Sequence, residues 1–349
     1  MKIFSDQHHL SLYNSLRLLF EERLSGKLYR PIGKEWLDEG YWRMAEIYNN
    51  APETVEQYLG VRDDYIPKDG SLPLNRVQKI EEGIFYVWDP EYNYYHKAIP
   101  LSRFLNLDIN IVIASIPQHI ESFKKLCAIH PNKPKFIYQV GNSWNIDQGY
   151  ADNILASAII PNVPVNTNMV TYHQEFDLDI FHYGEPNQSK KVYSFINCLG
   201  TAEHYKEDWE LFLELEKLMP DWEFRSFGGS CRDGAAHGAK ALAEKMREAQ
   251  FVFHVKRWGD GYGHIIHNAA AVGRPIITRL SDYQGKLGGS LITSSNSIII
   301  DGLSPQQIRD KIIGSNSDEM SKSTYENFKS VVDFDKEAEE IKRFLEKLQ

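Results

Sequence analysis

Residues Phe251–Thr278 read FVFHVKRWGDGYGHIIHNAAAVGRPIIT, and their order decides the fold. FVFHV is β-branched and aromatic enough for a buried parallel strand, and Gly259, Gly261 and Gly263 interrupt it. The apolar positions that follow recur at helical spacing until Gly273 and Pro275 stop the helix, and IIT opens a second strand. A helix that starts on a glycine turn presents unpaired N–H groups and the positive end of its dipole, so a diphosphate can sit there. The expected ligand is a nucleotide. Lys256 and Arg257 leave the strand at its functional end, where a cation would neutralise a leaving group's growing charge, and Arg257 is suited to bidentate contact. His264, in the first helical turn, can donate to a phosphate oxygen. HIIH lacks both a third ligand and the i,i+4 spacing of a helical zinc pair, so no metal is expected there.

Outward from this stretch, strands and helices alternate. Residues 2–4 form a first strand, and Leu12, Leu16, Leu19, Phe20 and Leu24 share one helical face. LYRPIG follows as a second strand, and the βαβ opening predicts a parallel sheet. Residues 35–82, rich in Tyr, Trp, Asp and Pro, read as an insertion or lid. INIVIAS, KFIYQVG and ILASAII are strands, with a helix from Gln118 to Ile129 after the first of them. HYGEPNQSKK is turn-forming and aperiodic, so a domain boundary is expected between Phe181 and Lys191. A second α/β domain follows, with loops at Gly200, at Gly228 and Gly229, and at Gly259–Gly263, each after a strand. Lys206 and Arg232 lie in or just after two of these loops. The domains are expected at 1–185 and 186–332, with a terminal helix within 333–349.

Composition excludes more than it selects. The length of 349 residues favours two cores, and 42% hydrophobic and 25% charged residues are ordinary for a soluble protein. No apolar run approaches the roughly 20 residues that span a bilayer, and MKIFSDQHH lacks the apolar centre of a signal peptide, so a cytoplasmic protein is expected. Three widely spaced cysteines suggest neither a disulfide framework nor a zinc site. A net charge of −9 argues against a surface that binds nucleic acid throughout, while leaving room for a local basic groove.

The 251–278 stretch resembles the nucleotide-sugar site of glycosyltransferases with the GT-B fold: a strand, E-G-F-G, a helix carrying a second Glu (E-x7-E), and a Gly-x-Pro exit. Asp260-Gly261-Tyr262-Gly263 stands where E-G-F-G would, and Asn268 falls where the second Glu would. The resemblance implies an α/β chain of two Rossmann-like domains facing across a cleft, with the terminal helix, Asp335–Leu348, crossing back to the first. It implies a nucleoside-diphosphate sugar as donor, a UDP-sugar foremost, held by the second domain. It also implies a hydroxyl acceptor on the first domain. Asn268 would keep an acceptor oxygen for a ribose hydroxyl without the charge of Glu.

In some members a His in the loop after the first strand resembles a general base oriented by an Asp. That loop is Ser5-Asp6-Gln7-His8-His9 here, which makes His9 the first candidate, with Asp6 and His8 assisting. The substitution at Asn268 and this base together predict transfer with inversion. On the acceptor side, Trp88 and Tyr94 belong to an aromatic run able to stack on rings, and Asn142 and Trp144 follow the KFIYQV strand. Asp177-Leu178-Asp179 and Asp333-Phe334-Asp335 do not follow long apolar strands and read as solvated charge, so no divalent metal or other cofactor is required. The acceptor stays open: a glycan, a lipid-linked sugar, a protein, a small molecule or a hydroxymethylated DNA base all offer a hydroxyl. A faint resemblance of DQHHLSLYNSLRLLFEERL to glycosyltransferase-like chains of viral origin keeps DNA among them. Two rival readings are a sugar-nucleotide epimerase of the same fold and a non-catalytic nucleotide-sugar-binding protein.

Overall fold

The structure, a computed structural model, describes residues 1–6, 10–32, 36, 77–89, 92–142 and 151–348. It divides into two compact units, Met1–Phe176 with Phe334–Gln349, and Asp177–Asp333.

The first unit is built on strands β1 (Lys2–Ser5), β2 (Lys27–Pro31), β3 (Val77–Glu81), β4 (Ile84–Asp89), β5 (Tyr94–Ile99), β6 (Ile111–Ala114), β7 (Lys135–Val140), β8 (Asn153–Ala156) and β9 (Asn168–Thr171). They form one sheet in the order β3-β4-β5-β2-β1-β6-β7-β8-β9. Pairing is parallel from β5 to β9, as the βαβ opening dictates, whereas β3 and β4 join the β5 edge antiparallel. The aromatic run is thus strand β4, and its alternation buries Phe85 and Val87 while Trp88 stays half-buried. Helix α1 (Leu10–Arg17) runs on into a π-helical turn, Leu18–Arg23, and lays Leu12, Leu16, Leu19 and Phe20 against the sheet. Helices α2 (Leu101–Asn106) and α3 (Ile120–Ile129) precede and follow β6.

The second unit carries a wholly parallel sheet of β10 (Lys191–Ser194), β11 (Glu223–Ser226), β12 (Phe251–Phe253), β13 (Ile276–Thr278) and β14 (Ser297–Ile299), ordered β11-β10-β12-β13-β14. Helices α4 (Lys206–Leu218), α5 (Gly238–Glu248), α6 (His264–Ala271), α7 (Pro305–Gly314) and α8 (Ser317–Val331) connect and cover the strands. Val192, Phe212, Leu215, Phe224, Phe251 and Phe253 fill the core. The turn-forming segment near 185 lies inside this unit, because buried Arg274 donates to the carbonyls of Gly184, Glu185 and Arg247 at 2.9 Å each. The last helix, α9 (Phe334–Leu345), belongs to the first unit. Its Ala338, Ile341 and Phe344 join the core formed by Ile3, Leu16 and Leu28, and Glu337 accepts from the His173 N–H at 2.7 Å.

In each sheet the strand order reverses once. From β1 the chain moves outward to β2 and later returns to β6 on the other side; from β10 it moves to β11 and returns to β12. Ligands of open parallel sheets bind beyond the strand C-termini at such reversals. The reversal points are the ends of β1 and β6 in one unit, and of β10 and β12 in the other.

Candidate functional site

At the end of β12, His254 is buried and its Nε2 lies 3.0 Å from Oδ2 of Asp260. Carboxylate oxygens only accept, so Nε2 carries the proton, and Nδ1 is buried with no hydrogen-bond partner among the described residues. The other Asp260 oxygen accepts from the Lys256 ammonium, four residues back. Burial opposes ionisation of Asp260, but the His254 hydrogen bond and the Lys256 charge outweigh it and hold the carboxyl well below the usual carboxylate range. Burial likewise opposes the Lys256 charge, and Asp260 overcomes it, pushing the ammonium up. Lys256 and Asp260, both expected donor residues, are therefore one ion pair.

The turn between the pair and α6 is tightly specified. Gly259 takes φ +62°, and a Cβ there would lie 2.4 Å from the carbonyl oxygen of Asp282. Gly263 caps α6 in the left-handed conformation at φ +87°. Tyr262 is buried between Gly261 and Gly263, with its ring stacked on His267 at 4.0 Å, and His267 Nδ1 donates to the Gly263 carbonyl at 2.9 Å. His267 is thereby a bracket for the turn, whereas His264 is half-buried at its start. On the second turn of α6, Asn268 is buried, and its Oδ1 has no hydrogen-bond partner among the described residues. Arg257 is half-exposed; its backbone N–H is held by Asp208 at 2.9 Å, and Asp208 also pairs with Arg279 at 2.7 Å.

The other glycine loops are tied to their neighbours. Gly200 packs on the Trp209 ring, and Gly228 on Asn197, whose Oδ1 accepts from the Gly229 N–H at 2.9 Å. Lys206 is exposed at the start of α4, and Arg232 turns toward Glu216 at 2.9 Å. Sequence reasoning missed His254 and also Lys286, which donates to the carbonyl of Trp258. His254 sits inside the FVFHV strand pattern, which marks it as core, and Lys286 is remote in sequence.

In the first unit, Asp6 follows β1 at the reversal point and is buried. Its carboxylate accepts from the Ser115 N–H at 3.0 Å, from the Ser115 hydroxyl, and from His119 Nδ1 at 2.6 Å. Ser115 follows β6, and His119 stands one residue before α3 with its ring parallel to Phe123, so the two sides of the reversal meet on one carboxylate. The sequence reading paired Asp6 with His8 and His9, which lie outside the described residues, as does Trp144. Nothing in the sequence marked His119, because a hundred residues and the sheet order intervene.

Asn142, just past β7, shares this edge, and its Oδ1 is buried without a hydrogen-bond partner among the described residues. Trp88 and Tyr94 do not share it. Tyr94 opens β5 and Trp88 nears the end of antiparallel β4, which puts both at the N-terminal edge of the parallel strands. There Trp88 packs on Tyr95, and Tyr94 donates to Glu21 beneath the Arg17 guanidinium.

Among the described residues no group of three His, Cys, Asp or Glu side chains converges as a metal site, and no helix is long and apolar enough to cross a membrane.

This architecture is shared with solved structures. Anabaena Alr3699/HepE, in complex with UDP and glucose, aligns over 99% of both chains with a TM-score of 0.62 at 8% identity. Staphylococcus aureus TarM, in complex with fondaparinux, alpha-GlcNAc-glycerol and UDP, aligns over 99% of both chains with a TM-score of 0.57 at 11% identity. A glycosyltransferase from Rickettsia africae aligns over 99% of this chain and 97% of its own, with a TM-score of 0.54 at 8% identity. No protein-family model and no curated protein sequence matches. The chain has the two-domain GT-B fold of the nucleotide-sugar glycosyltransferases.

Proposed function

We propose that this protein is a glycosyltransferase that moves a sugar from a nucleoside diphosphate, UDP foremost, to a hydroxyl acceptor. The observation that carries the reading is Asn268 Oδ1, buried and without a hydrogen-bond partner among the described residues, eight residues after Asp260 on the helix that the glycine turn opens. Buried acceptors are rarely left unpaired, and a ribose hydroxyl donating to it would satisfy it. The diphosphate then lies over the start of α6, where the N–H groups, His264 and Arg257 meet its charge. Asp260 then faces its sugar end. That UDP accompanies similar folds in HepE and TarM supports uridine as the base.

Chemically, the acceptor oxygen attacks the anomeric carbon as the bond from that carbon to the diphosphate oxygen breaks, and the acceptor proton passes to an imidazole. By sequence position His9 is the candidate nearest the first strand; at the first unit's reversal edge His119 is the imidazole that Asp6 holds, and Asn142 orients the acceptor. One displacement inverts the anomeric centre. The α6 dipole with Lys256 and Arg257 carries the phosphate charge, so activity should survive a chelator.

A screen of NDP-sugars against hydroxyl acceptors, reading free NDP, tests the function. Release that depends on acceptor is expected; conversion of the sugar without acceptor would instead identify an epimerase, and binding without turnover a non-catalytic receptor. In calorimetry Asn268→Ala and Asp260→Ala should each weaken UDP binding, and unchanged affinity in both folded variants would remove the assignment. Loss of a general base costs about 10²–10⁴-fold in rate, so His9→Ala or His119→Ala should show that loss with UDP affinity nearly constant. Near-normal turnover in both would remove the imidazole from the mechanism.

A further inference from the structure

Cys198 and Cys231 are far apart in sequence, and the sheet brings them to one place. Cys198 follows β10, Cys231 follows β11, and these strands pair in parallel register up to Ser194 and Ser226, so both cysteines leave the sheet at its C-terminal edge. The two loops are stitched together directly. The Cys198 N–H donates to the Gly229 carbonyl at 2.8 Å, the Gly229 N–H to Asn197 Oδ1 at 2.9 Å, and the Cys231 thiol to the Ile196 carbonyl at 3.1 Å.

The loop that carries Cys198 is a fixed turn. The Ile196 carbonyl also accepts from the Leu199 N–H at 3.2 Å, which closes residues 196–199 and puts Cys198 third in the turn. Its backbone is left-handed, with φ +61°, where glycine or asparagine is the usual residue. The Cys198 carbonyl accepts in turn from the Thr201 and Ala202 N–H groups at 3.0 Å each, so the backbone is held on both sides of the thiol. The Cys231 sulfur lies against this turn, faced by the N–H groups of Leu199 and Cys198 and close enough to the Cys198 sulfur for their charges to interact. Both cysteines are half-buried.

We infer that Cys198 and Cys231 form a reversible disulfide, closed by a small-molecule disulfide such as oxidised glutathione and reopened by a dithiol. A disulfide requires Cα atoms about 4–7 Å apart, and two turns in direct hydrogen-bond contact are within that reach. Burial outweighs the facing N–H groups and pushes the Cys231 thiol up, so the first attack falls to Cys198. Its thiolate attacks one sulfur of the small disulfide, whose S–S bond breaks and releases a thiolate. The Cys231 thiolate then attacks the Cys198 sulfur of the mixed disulfide and expels the second. Two protein thiols are oxidised to one disulfide, the small disulfide is reduced to two thiols, and these take the two protons. The bond ties the β10 loop to the β11 loop whichever ligand the second unit binds.

The test is to hold the folded full chain with oxidised glutathione, block the remaining thiols and map the peptides by mass spectrometry. Wild-type protein should fall from three free thiols to one, with the peptides of Cys198 and Cys231 joined and lighter by two hydrogens. Cys127 should stay free, because burial pushes its thiol up to about 12. Cys231→Ser should stop at the mixed disulfide, with one glutathione on Cys198. Cys198→Ser should react more slowly at Cys231, by about tenfold for each pH unit by which that thiol is raised. Dithiothreitol should return all three thiols. Three thiols left in the wild type, or glutathione on both Cys198 and Cys231 with no joined peptide, would overturn the pair. A joined peptide found only in covalent dimers would overturn it too, since the bond would then run between molecules. So would loss of the Cys127 thiol at the same rate, because oxidation would then follow unfolding and not the contact of the two turns.

Discussion

Each sheet places a histidine and an aspartate at the point where its strand order reverses, and the two pairs are built differently. In the first unit Asp6 is buried, and among the described residues its carboxylate accepts hydrogen bonds from Ser115 and His119, through a hydroxyl, an amide and an imidazole. In the second unit Asp260 shares its carboxylate between buried His254 and the Lys256 ammonium, and a quarter of its side chain meets solvent. The first arrangement fixes an imidazole through its Nδ1 proton, which suits a proton-transfer group. The second fixes a cation at a strand end beside a helix N-terminus, which suits an anion. The same position in the fold supplies a scaffold, and the third side chain sets the chemistry.

The largest effect should come from breaking the buried pair. Asp6→Ala strands the Ser115 N–H and hydroxyl and the His119 Nδ1 proton in a buried site, and removing one partner of such a group costs about 3–5 kcal/mol. Thermal unfolding should show it in the first unit, with Asp6→Asn losing less because one acceptor oxygen remains. A melting curve for Asp6→Ala that overlays the wild type would mean that the carboxylate is not buried, and the contrast with Asp260 would collapse.

The second pair should respond more weakly and with a pH signature. Asp260→Asn keeps an oxygen for His254 but removes the charge facing Lys256, a loss of about 1–3 kcal/mol for a charge-assisted hydrogen bond. Folding lowers the Asp260 pKa, so its stabilisation is fully present above the unfolded carboxyl's value of about 3.9 and is lost as pH falls below it toward the folded value. Denaturant titrations of the wild type and Asp260→Asn should therefore differ at pH 7 and converge in acid. A gap that stays constant or widens on acidification would show that Lys256 and His254 are not what the charge serves.

How much of this the sequence disclosed follows from the range of the interactions. The β12–α6 turn was legible because its strand, glycines and helix are consecutive, and periodicity within some twenty residues encodes them. Asp260 and Asn268 were named for the same reason. The β4 hairpin was half legible, since alternation marked Phe85 and Val87 as buried but no local signal showed that Trp88 and Tyr94 face the wrong edge of the sheet. His119 was invisible. Its meeting with Asp6 depends on β6 returning beside β1, a topological fact with no trace in either local sequence. His254 was hidden by an opposite fault, because its apolar neighbours made it read as core, which it is, while its one ring nitrogen does polar work.

The smallest effect tests whether the second site is held ready before any ligand arrives. At Gly263 a Cβ would sit 3.4 Å from Ile266 Cδ1 and 3.6 Å from Tyr283 Cε1, both ordinary contacts, so space does not demand glycine; the φ of +87° does. Gly263→Ala should cost about 1–2 kcal/mol, the backbone penalty of a left-handed L-residue, and Gly263→Asn less, since asparagine enters that region more readily. Paired denaturant curves can resolve a difference of that size. If alanine is as stable as glycine, the turn is not left-handed in solution and the N–H groups of α6 are not presented as the nucleotide reading requires. If asparagine costs as much as alanine, the penalty is side-chain crowding against Ile266 and Tyr283, and the turn's conformation is set by packing around Tyr262. A graded loss, alanine above asparagine, would leave backbone conformation as the cause. It would also mark the contrast with Asp6: the first site is kept by hydrogen bonds that cross the sheet, and the second also by left-handed backbone at Gly259 and Gly263.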